Sequence, residues 1–206
     1  MSAKSPEIRV TSLSFFKKNN EQVWDAVHLA GQMESDLVCL PETWAGTDVI
    51  ETLDSPEVQK LCELAARYKT YIVSGMYRKT ESIPRINSAI LINRSGKIQG
   101  IYDKVYPYWE EFIYTPPVSI GKEPMVFDVD FGKLGIAICF DANIPSLWQK
   151  MAELGAQVVV WPSAYSGGAS LQAHAINHHF YVITSTWKYD CTVFDITGKN
   201  SIQLVN

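Results

Sequence analysis

The sequence predicts an α/β fold in which helices pack in layers on β-sheet. Short runs rich in β-branched and aromatic residues alternate with segments of helical periodicity along most of the chain. Hydrophobic residues make up 47% of the 206 residues and aromatic residues 12%, which is enough for a buried core. No low-complexity tract or linker divides the chain, so we expect one domain over residues 1–206.

The first half of the chain predicts alternating strands and helices followed by a hairpin. EIRVTSLSF, LVCL and YIVSGMY have the composition of strands. One helix is predicted within the range 20–33, and a second begins sharply at Ser55 and Pro56, since serine can cap a helix and proline fits its first position. SAILINRSGKIQGIY then predicts a hairpin that turns near Ser95 and Gly96.

The second half repeats this alternation. MVFDVDFGKLGIAIC predicts a hairpin turning at Gly132, SLWQKMAEL and AHAINHHFYV predict helices, and AQVVVW predicts a strand buried on both faces. DLVCLPE and AQVVVWPS share one plan, because each is an apolar strand that stops at a proline. This shared plan suggests two related halves.

Charge and hydropathy narrow the class of partner. Eighteen basic and 22 acidic residues give a net charge of −4, and no basic block could follow a phosphate backbone. No stretch approaches the roughly 18 apolar residues of a membrane span, and the N-terminus has no apolar signal region. We therefore expect a cytoplasmic protein that binds a small molecule rather than nucleic acid or membrane.

The four cysteines show no CxxC pair, which argues against a zinc knuckle and a disulfide framework. Cys39 and Cys62 lie on apolar patterns and are expected to be small buried hydrophobes. His174 and His178 are four residues apart on a predicted helix, but a third ligand is missing. We expect no metal.

Three residues at the ends of apolar or aromatic runs are candidates for chemistry. Glu42 follows the strand LVCL, Lys104 lies in the aromatic segment GIYDKVYPYWEE, and Cys139 ends LGIAIC. Each alone has an ordinary alternative: a solvated loop acid, a surface lysine lying over aromatic rings, and a buried core cysteine. Together they supply a thiol nucleophile, a base and a cation for the oxyanion that forms when the thiol attacks a carbonyl or nitrile carbon. Such a set requires no cofactor.

The segments LVCLPETW, YDKVYPYWEE and GIAICFDANIP resemble, in order and approximate spacing, the three signature segments of the nitrilase, or carbon–nitrogen hydrolase, superfamily. The resemblance extends from EIRV to about FDITGK. It implies a four-layer α-β-β-α sandwich, a homodimer or larger homo-oligomer, and hydrolysis of a non-peptide C–N bond in a small amide, carbamoyl compound or nitrile.

Carried over residue by residue, the resemblance makes Cys139 the nucleophile that forms a thioester or thioimidate, and Glu42 the general base. Lys104 would stabilise the tetrahedral intermediate, and the Phe140 backbone N–H would join the oxyanion hole. Glu111 matches the position of a second glutamate that many members use. Its neighbour Glu110 is the alternative.

Two features depart from the family pattern. His174 and Asn177 stand where members often have arginine and glutamate, which affects the network around that helix more than the three candidate residues. The chain also stops at SIQLVN, so the sandwich is expected to lack C-terminal strands that members commonly have.

The substrate is left open by the sequence. Of the aromatic residues near the motifs, Trp109, Tyr165 and Trp187 are the candidates for a substrate pocket. Two other functions fit the same residues: acyl transfer to an amine from the same intermediate, and a non-catalytic binding or scaffold protein that keeps the fold.

Overall fold

The computed structural model describes residues 7–201, which form two β-sheets and four α-helices. The first sheet has the order β1-β2-β4-β5-β6, with β3 paired to β4, and the second has the order β11-β10-β9-β8-β7. The helices are α1 (Asn20–Gln32), α2 (Pro56–Tyr68), α3 (Pro145–Glu153) and α4 (Gly168–His178). The strands are β1 (Val10–Ser12), β2 (Leu37–Cys39), β3 (Ile50–Glu51), β4 (Tyr71–Arg78), β5 (Ile86–Ile92), β6 (Ile98–Asp103), β7 (Met125–Val129), β8 (Gly132–Ile136), β9 (Val158–Ser163), β10 (Tyr181–Thr186) and β11 (Val193–Phe194).

The two sheets are built alike, as the shared strand plan suggests. In the first sheet β1, β2 and β4 are parallel, and β5 and β6 continue the sheet antiparallel. In the second, β8, β9 and β10 are parallel, and β7 and β11 pair antiparallel at the edges. Helices cross over between the parallel strands, which is the connection that parallel pairing requires.

Three hydrophobic clusters separate four layers, so the predicted α-β-β-α sandwich is confirmed. One cluster lies between the first sheet and helices α1 and α2, one lies between the sheets, and one lies between the second sheet and helices α3 and α4. Strand β2 shows how the sequence specifies this arrangement. Leu37 and Cys39 face the other sheet, whereas Val38 and Leu40 face the helices, because successive side chains alternate across a strand. A continuous apolar run is therefore buried on both faces.

Helix boundaries follow their capping residues. The Asn19 side chain accepts a hydrogen bond from Gln22 N at 2.9 Å, and α1 begins at the next residue. Ser55 caps α2 in the same way, with Pro56 in the first helical position. None of the helices formed by residues 7–201 is long and apolar enough to span a membrane.

Several local predictions were wrong. Only Val10–Ser12 of EIRVTSLSF is a strand. The helix predicted in AHAINHHFYV ends at His178 because His179 adopts a left-handed conformation with φ of 56°, and strand β10 begins at Tyr181. Cys62 is half-buried rather than buried.

The expectation that C-terminal strands are missing extends to residues that the structure does not describe. The last described strand, β11, pairs antiparallel with β10. The expected absence of later strands concerns a region that includes residues 202–206, which lie outside the described residues.

Candidate active site

Glu42 lies where the chain leaves β2 and turns across the first sheet. Its side chain is only 4% exposed, so the alternative of a solvated loop acid is wrong. The turn fits because Gly75 on β4 has no side chain. A Cβ atom at Gly75 would lie 2.7 Å from Glu42 Cα and 2.7 Å from the Pro41 carbonyl oxygen, which is closer than such contacts allow. Gly75 therefore lets the backbone that carries Glu42 approach the sheet.

Gly75→Ala should lower turnover more than it lowers stability. Backbone atoms of residues 41 and 42 have to move, which costs about 1 to 3 kcal/mol of stability, and a displacement near 1 Å can cost roughly 100-fold in rate. Steady-state kinetics and urea unfolding measure the two effects. Gly135→Ala on β8 is the matched control, because its Cβ would meet the flexible Met151 sulfur at 2.9 Å, away from Glu42. Equal activity losses in the two variants would contradict the prediction.

Lys104 follows β6 and is 1% exposed, so the surface-lysine alternative is wrong as well. Its Nζ lies 2.9 Å from Glu42 Oε1 and 2.6 Å from Glu111 Oε2. Burial alone would lower the pKa of the ammonium group, but the charges of Glu42 and Glu111 outweigh burial and hold this pKa well above its ordinary value. The ammonium group therefore stays charged between two carboxylates.

Glu111, rather than Glu110, faces this lysine. It lies in a single 3-10 turn formed by Trp109–Phe112, and it accepts hydrogen bonds from the Tyr108 backbone N–H at 2.8 Å and the Tyr77 hydroxyl at 3.1 Å. Glu110 is exposed. Glu111, which the family resemblance favoured over Glu110, is thus the glutamate that lies beside Lys104.

Asn87 on β5 joins the two carboxylates, and sequence reasoning missed it. Its Nδ2 donates to Glu42 Oε1 and to Glu111 Oε1, both at 2.7 Å. The sequence feature that could have indicated it is an amide side chain in the largely apolar strand INSAILI. All seven residues of this strand are buried, and a buried polar side chain needs hydrogen-bond partners. Asn87 therefore fixes the distance between the two carboxylates.

Cys139 begins a second 3-10 turn, Cys139–Asn143, with φ of 49°. Strand β8 ends three residues earlier, at Ile136, so the predicted strand end at Cys139 is displaced. The backbone is held by Trp161, whose indole N–H donates to the Cys139 carbonyl at 3.0 Å. This left-handed residue aims the sulfur at the junction of the two sheets.

The Cys139 thiol lies beside Glu42 and Lys104, and Cys139 is buried, with 8% of its surface exposed. The Ala164 backbone N–H donates to Glu42 Oε2 at 2.9 Å and also interacts with the Cys139 sulfur. Burial raises the pKa of the thiol, Glu42 raises it further, and Lys104 acts in the opposite direction. The resting thiol is therefore neutral, and a base has to accept its proton as it reacts.

Asp141 ties the turn of the nucleophile to the segment after Lys104. Its carboxylate accepts hydrogen bonds from Ile138 N at 2.8 Å, Tyr106 N at 3.0 Å and the Tyr102 hydroxyl at 2.7 Å. Burial raises the pKa of this carboxyl to about 6, although the hydrogen bonds act in the opposite direction. Sequence reasoning treated Asp141 only as part of a motif.

Asp141→Asn should change how stability depends on pH. Because the folded-state pKa of about 6 exceeds the ordinary 3.8, the folded protein holds this proton more tightly between these values. Its contribution to stability is complete below pH 3.8 and is lost as pH rises through 6, by about 3 kcal/mol. Urea unfolding from pH 4 to 7 should show this slope in the parent protein and in Asp25→Asn on the surface of α1, but not in Asp141→Asn. A slope unchanged in Asp141→Asn would contradict the assignment.

Comparison with known proteins identifies the family. The model of the carbon–nitrogen hydrolase family matches residues 11–195, which include Glu42, Lys104 and Cys139. The chain belongs to the carbon–nitrogen hydrolase family.

Individual relatives agree with this assignment. A deaminated glutathione amidase of Synechocystis sp. is 29% identical over 205 residues, which cover 85% of this chain and 74% of the relative. An omega-amidase of Saccharomyces cerevisiae is 30% identical over 156 residues, covering 66% of this chain and 53% of the relative. The chain is thus an amidase-like carbon–nitrogen hydrolase.

Solved structures share the fold. An amidase from Nesterenkonia sp. superposes with a TM-score of 0.78 at 20% identity, over 96% of this chain and 86% of that one. The two sheets, their layers and the four helices therefore form the nitrilase-type sandwich that the sequence motifs implied.

The aromatic candidates of this carbon–nitrogen hydrolase occupy different places. The Tyr165 hydroxyl lies 3.5 Å from the Cys139 carbonyl oxygen, and the Trp187 indole N–H donates to the Glu42 carbonyl oxygen. Trp109 is 59% exposed and packs on Tyr108. Tyr165 and Trp187 thus contact the backbone of the two central residues, whereas Trp109 lies outside this cluster.

His174 of the carbon–nitrogen hydrolase supports α4 from inside the fold. Its ring stacks on Trp148 at 4.3 Å between centroids, and its Nε2 lies 3.0 Å from the Ala142 carbonyl oxygen. Burial lowers the pKa of His174, so the imidazole is neutral. No group of three or more potential metal-binding side chains occurs among residues 7–201.

Proposed function

We propose that this carbon–nitrogen hydrolase cleaves small amides through a thioester on Cys139. The observation that carries the proposal is the buried arrangement of one thiol, one ammonium group and two carboxylates at the junction of the sheets. A buried charge is retained where it is paired, and here the paired charges lie next to the Cys139 thiol, a nucleophile that can use them. These groups supply nucleophile, base and oxyanion stabilisation without a cofactor.

In the first half of the reaction the Cys139 sulfur attacks the amide carbon while Glu42 accepts the thiol proton. Concerted transfer is favoured because the thiol is neutral at rest. The amide oxygen gains negative charge, and Lys104 stabilises it together with the Phe140 backbone N–H at the start of the 3-10 turn. Glu42 then returns the proton to the leaving nitrogen, the C–N bond breaks and ammonia departs.

In the second half Glu42 removes a proton from water, which attacks the thioester carbon. The tetrahedral intermediate collapses, the C–S bond breaks, and the proton held by Glu42 returns to the Cys139 sulfur. Lys104 stabilises both oxyanions because Glu42 and Glu111 hold its ammonium group in place on either side. Glu111 orients this lysine rather than exchanging protons.

Amides are favoured as the substrate class by the names of the relatives. Deaminated glutathione amidase and omega-amidase are curated relatives, and one mutant of the Nesterenkonia amidase was solved in complex with butyramide. The same thioester also permits acyl transfer to an amine. Product analysis has to separate the two outcomes.

The test is ammonia release from a panel of butyramide, pentanamide, glutaramate and butyronitrile. We expect release from amides and retention of activity after dialysis against a chelator. Products formed with and without added hydroxylamine separate hydrolysis from acyl transfer. Absence of ammonia release from every amide would overturn the proposal, whereas activity that is lost on chelation and restored by zinc would overturn the cofactor-free mechanism.

A further inference from the structure

Arg85 is a buried cation without an anionic partner. Its side chain is 6% exposed, and Nε is fully buried with no hydrogen-bond partner. Within residues 7–201 no carboxylate forms an ion pair with it. Its guanidinium carbon instead lies 5.1 Å from the ring centroid of Tyr77 and 5.3 Å from that of Tyr114. Aromatic faces attract a guanidinium group but do not saturate its hydrogen-bond donors.

An unpaired buried charge is costly, and the other buried lysine and arginine side chains within residues 7–201 are paired. Arg78 lies 2.8 Å from Asp103, and Lys104 lies between two carboxylates. Because proteins retain buried charges mainly where these meet a partner, the unused donors of Arg85 point to an anion that binds there.

Arg85 lies on the active-site side of the first sheet. It precedes β5 by one residue, so its side chain is on the same face as that of Asn87, two residues further along. Asn87 is paired across the sheet with Tyr77, whose hydroxyl donates to Glu111 at 3.1 Å. One tyrosine therefore separates the guanidinium group from the carboxylate that holds Lys104.

The position of Arg85 matters for substrate binding because of the charges of the active site. Glu42 and Glu111 carry two negative charges against the single positive charge of Lys104. These charges alone would repel an anionic substrate. Arg85 supplies the second positive charge, and it does so one side chain away from the amide-cleaving groups. The half-buried ring of Tyr114 forms the outer wall beside it.

We propose that Arg85 binds a carboxylate at the far end of the substrate, so that the substrates are short aliphatic amides bearing a carboxylate. The inference rests on the proposed amidase function and names its substrate class. The planar guanidinium fork can donate two parallel hydrogen bonds to a carboxylate, which a lysine cannot do. Tyr77 and Tyr114 pack against the guanidinium group and restrict its movement, so little side-chain entropy is lost on binding.

The test compares matched substrates that differ in one carboxylate. Glutaramate is compared with pentanamide, and succinamate with butyramide, by kcat/KM. We expect the parent protein to prefer each carboxylated amide by at least 10-fold. Arg85→Gln should lower kcat/KM for glutaramate by roughly 30- to 100-fold, mainly through KM, and should lower it for pentanamide far less. Arg85→Lys should fall between, since it keeps the charge and lacks the fork.

Arg67→Gln is the matched control, because Arg67 also lies over a tyrosine ring, 5.4 Å from that of Tyr68, but is exposed on α2. It should leave the preference unchanged. If Arg85→Gln does not fold, Arg85→Lys carries the comparison, with an expected loss of roughly 10-fold for glutaramate.

Binding measured without turnover separates this inference from the proposed function. Calorimetry on Cys139→Ala should show that glutaramate binds at least 10-fold more tightly than pentanamide, and that adding Arg85→Gln removes the difference. Cleavage of pentanamide without a preference for glutaramate, or an equal preference in Arg85→Gln, would overturn the inference and leave the amidase function standing. Absence of all amide cleavage, together with equal binding of the two amides, would overturn both.

Discussion

Replacing Cys139 with alanine should abolish amide cleavage while the protein stays folded. The variant keeps Glu42, Lys104 and their hydrogen bonds but has no atom that can form the thioester, so kcat should fall by on the order of 10⁴-fold or more. Stability should change by only about 1 kcal/mol, because alanine removes a single sulfur atom. Ammonia release and urea unfolding measure the two quantities.

Serine at position 139 separates the reactivity of the nucleophile from the shape of the side chain. Cys139→Ser keeps a group that can attack, but a hydroxyl ionises far less readily than a thiol, so substrate should bind without efficient turnover. Cys39→Ala is the matched control: burial also raises the pKa of Cys39, which lies inside β2. It should lose some stability and keep turnover.

Mass spectrometry of the trapped acyl-enzyme gives a second, independent measurement. The adduct should map to Cys139 and to none of Cys39, Cys62 and Cys191. An adduct on one of these three, or full activity in Cys139→Ala, would remove Cys139 from the mechanism and leave a resemblance of fold.

The sequence was most informative where a reactive residue ends a hydrophobic run. LVCL, GIAIC and the aromatic segment around Lys104 each specify a buried element, and the residue that follows or ends it has to appear at the edge of a sheet. The family resemblance then related three distant segments to one site. The structure brings Glu42, Lys104 and Glu111 into direct contact and places Cys139 beside them.

Other site residues depend on strand register, which a single sequence does not provide. Asn87 reaches both carboxylates because it pairs with Tyr77 across β4 and β5. Arg85 shares its face for the same reason. A one-residue change of register would turn both side chains to the other face, and nothing in the letters INSAILI excludes it.

The electrostatic environment of Cys139 could not be predicted from the sequence either. Helix starts and exposure lower the pKa of a thiol, and the sequence around Cys139 does not show how strongly either acts on it. The structure instead buries Cys139 next to a carboxylate, which raises the pKa. The difference arises because burial depends on Trp161 and on residues 163–165, which lie far from Cys139 in the sequence.

Lys104→Met should produce the largest combined loss of rate and stability. Methionine fills most of the volume of the lysine but leaves Glu42 and Glu111 as buried carboxylates without a counterion, which costs about 3 to 5 kcal/mol. Turnover should also fall by the equivalent of about 2 to 4 kcal/mol, as for loss of an oxyanion-stabilising group. Turnover rates normalised to the folded fraction of the protein separate the loss of activity from the loss of stability. Lys60→Met is the matched control, since its pair with Glu63 lies on the surface and contributes less than about 1 kcal/mol.

A second change separates the cost of unpaired charge from the role of the ammonium group in the reaction. Lys104→Met combined with Glu111→Gln removes one of the two buried, unpaired carboxylates, so stability should recover by about half while activity stays low. If Lys104→Met keeps both its stability and its turnover at pH 7, the ammonium group is neither the counterion of the two glutamates nor a stabiliser of the intermediate. If stability falls but turnover by the folded fraction does not, Lys104 only neutralises Glu42 and Glu111, and the oxyanion has to be stabilised by backbone N–H groups alone.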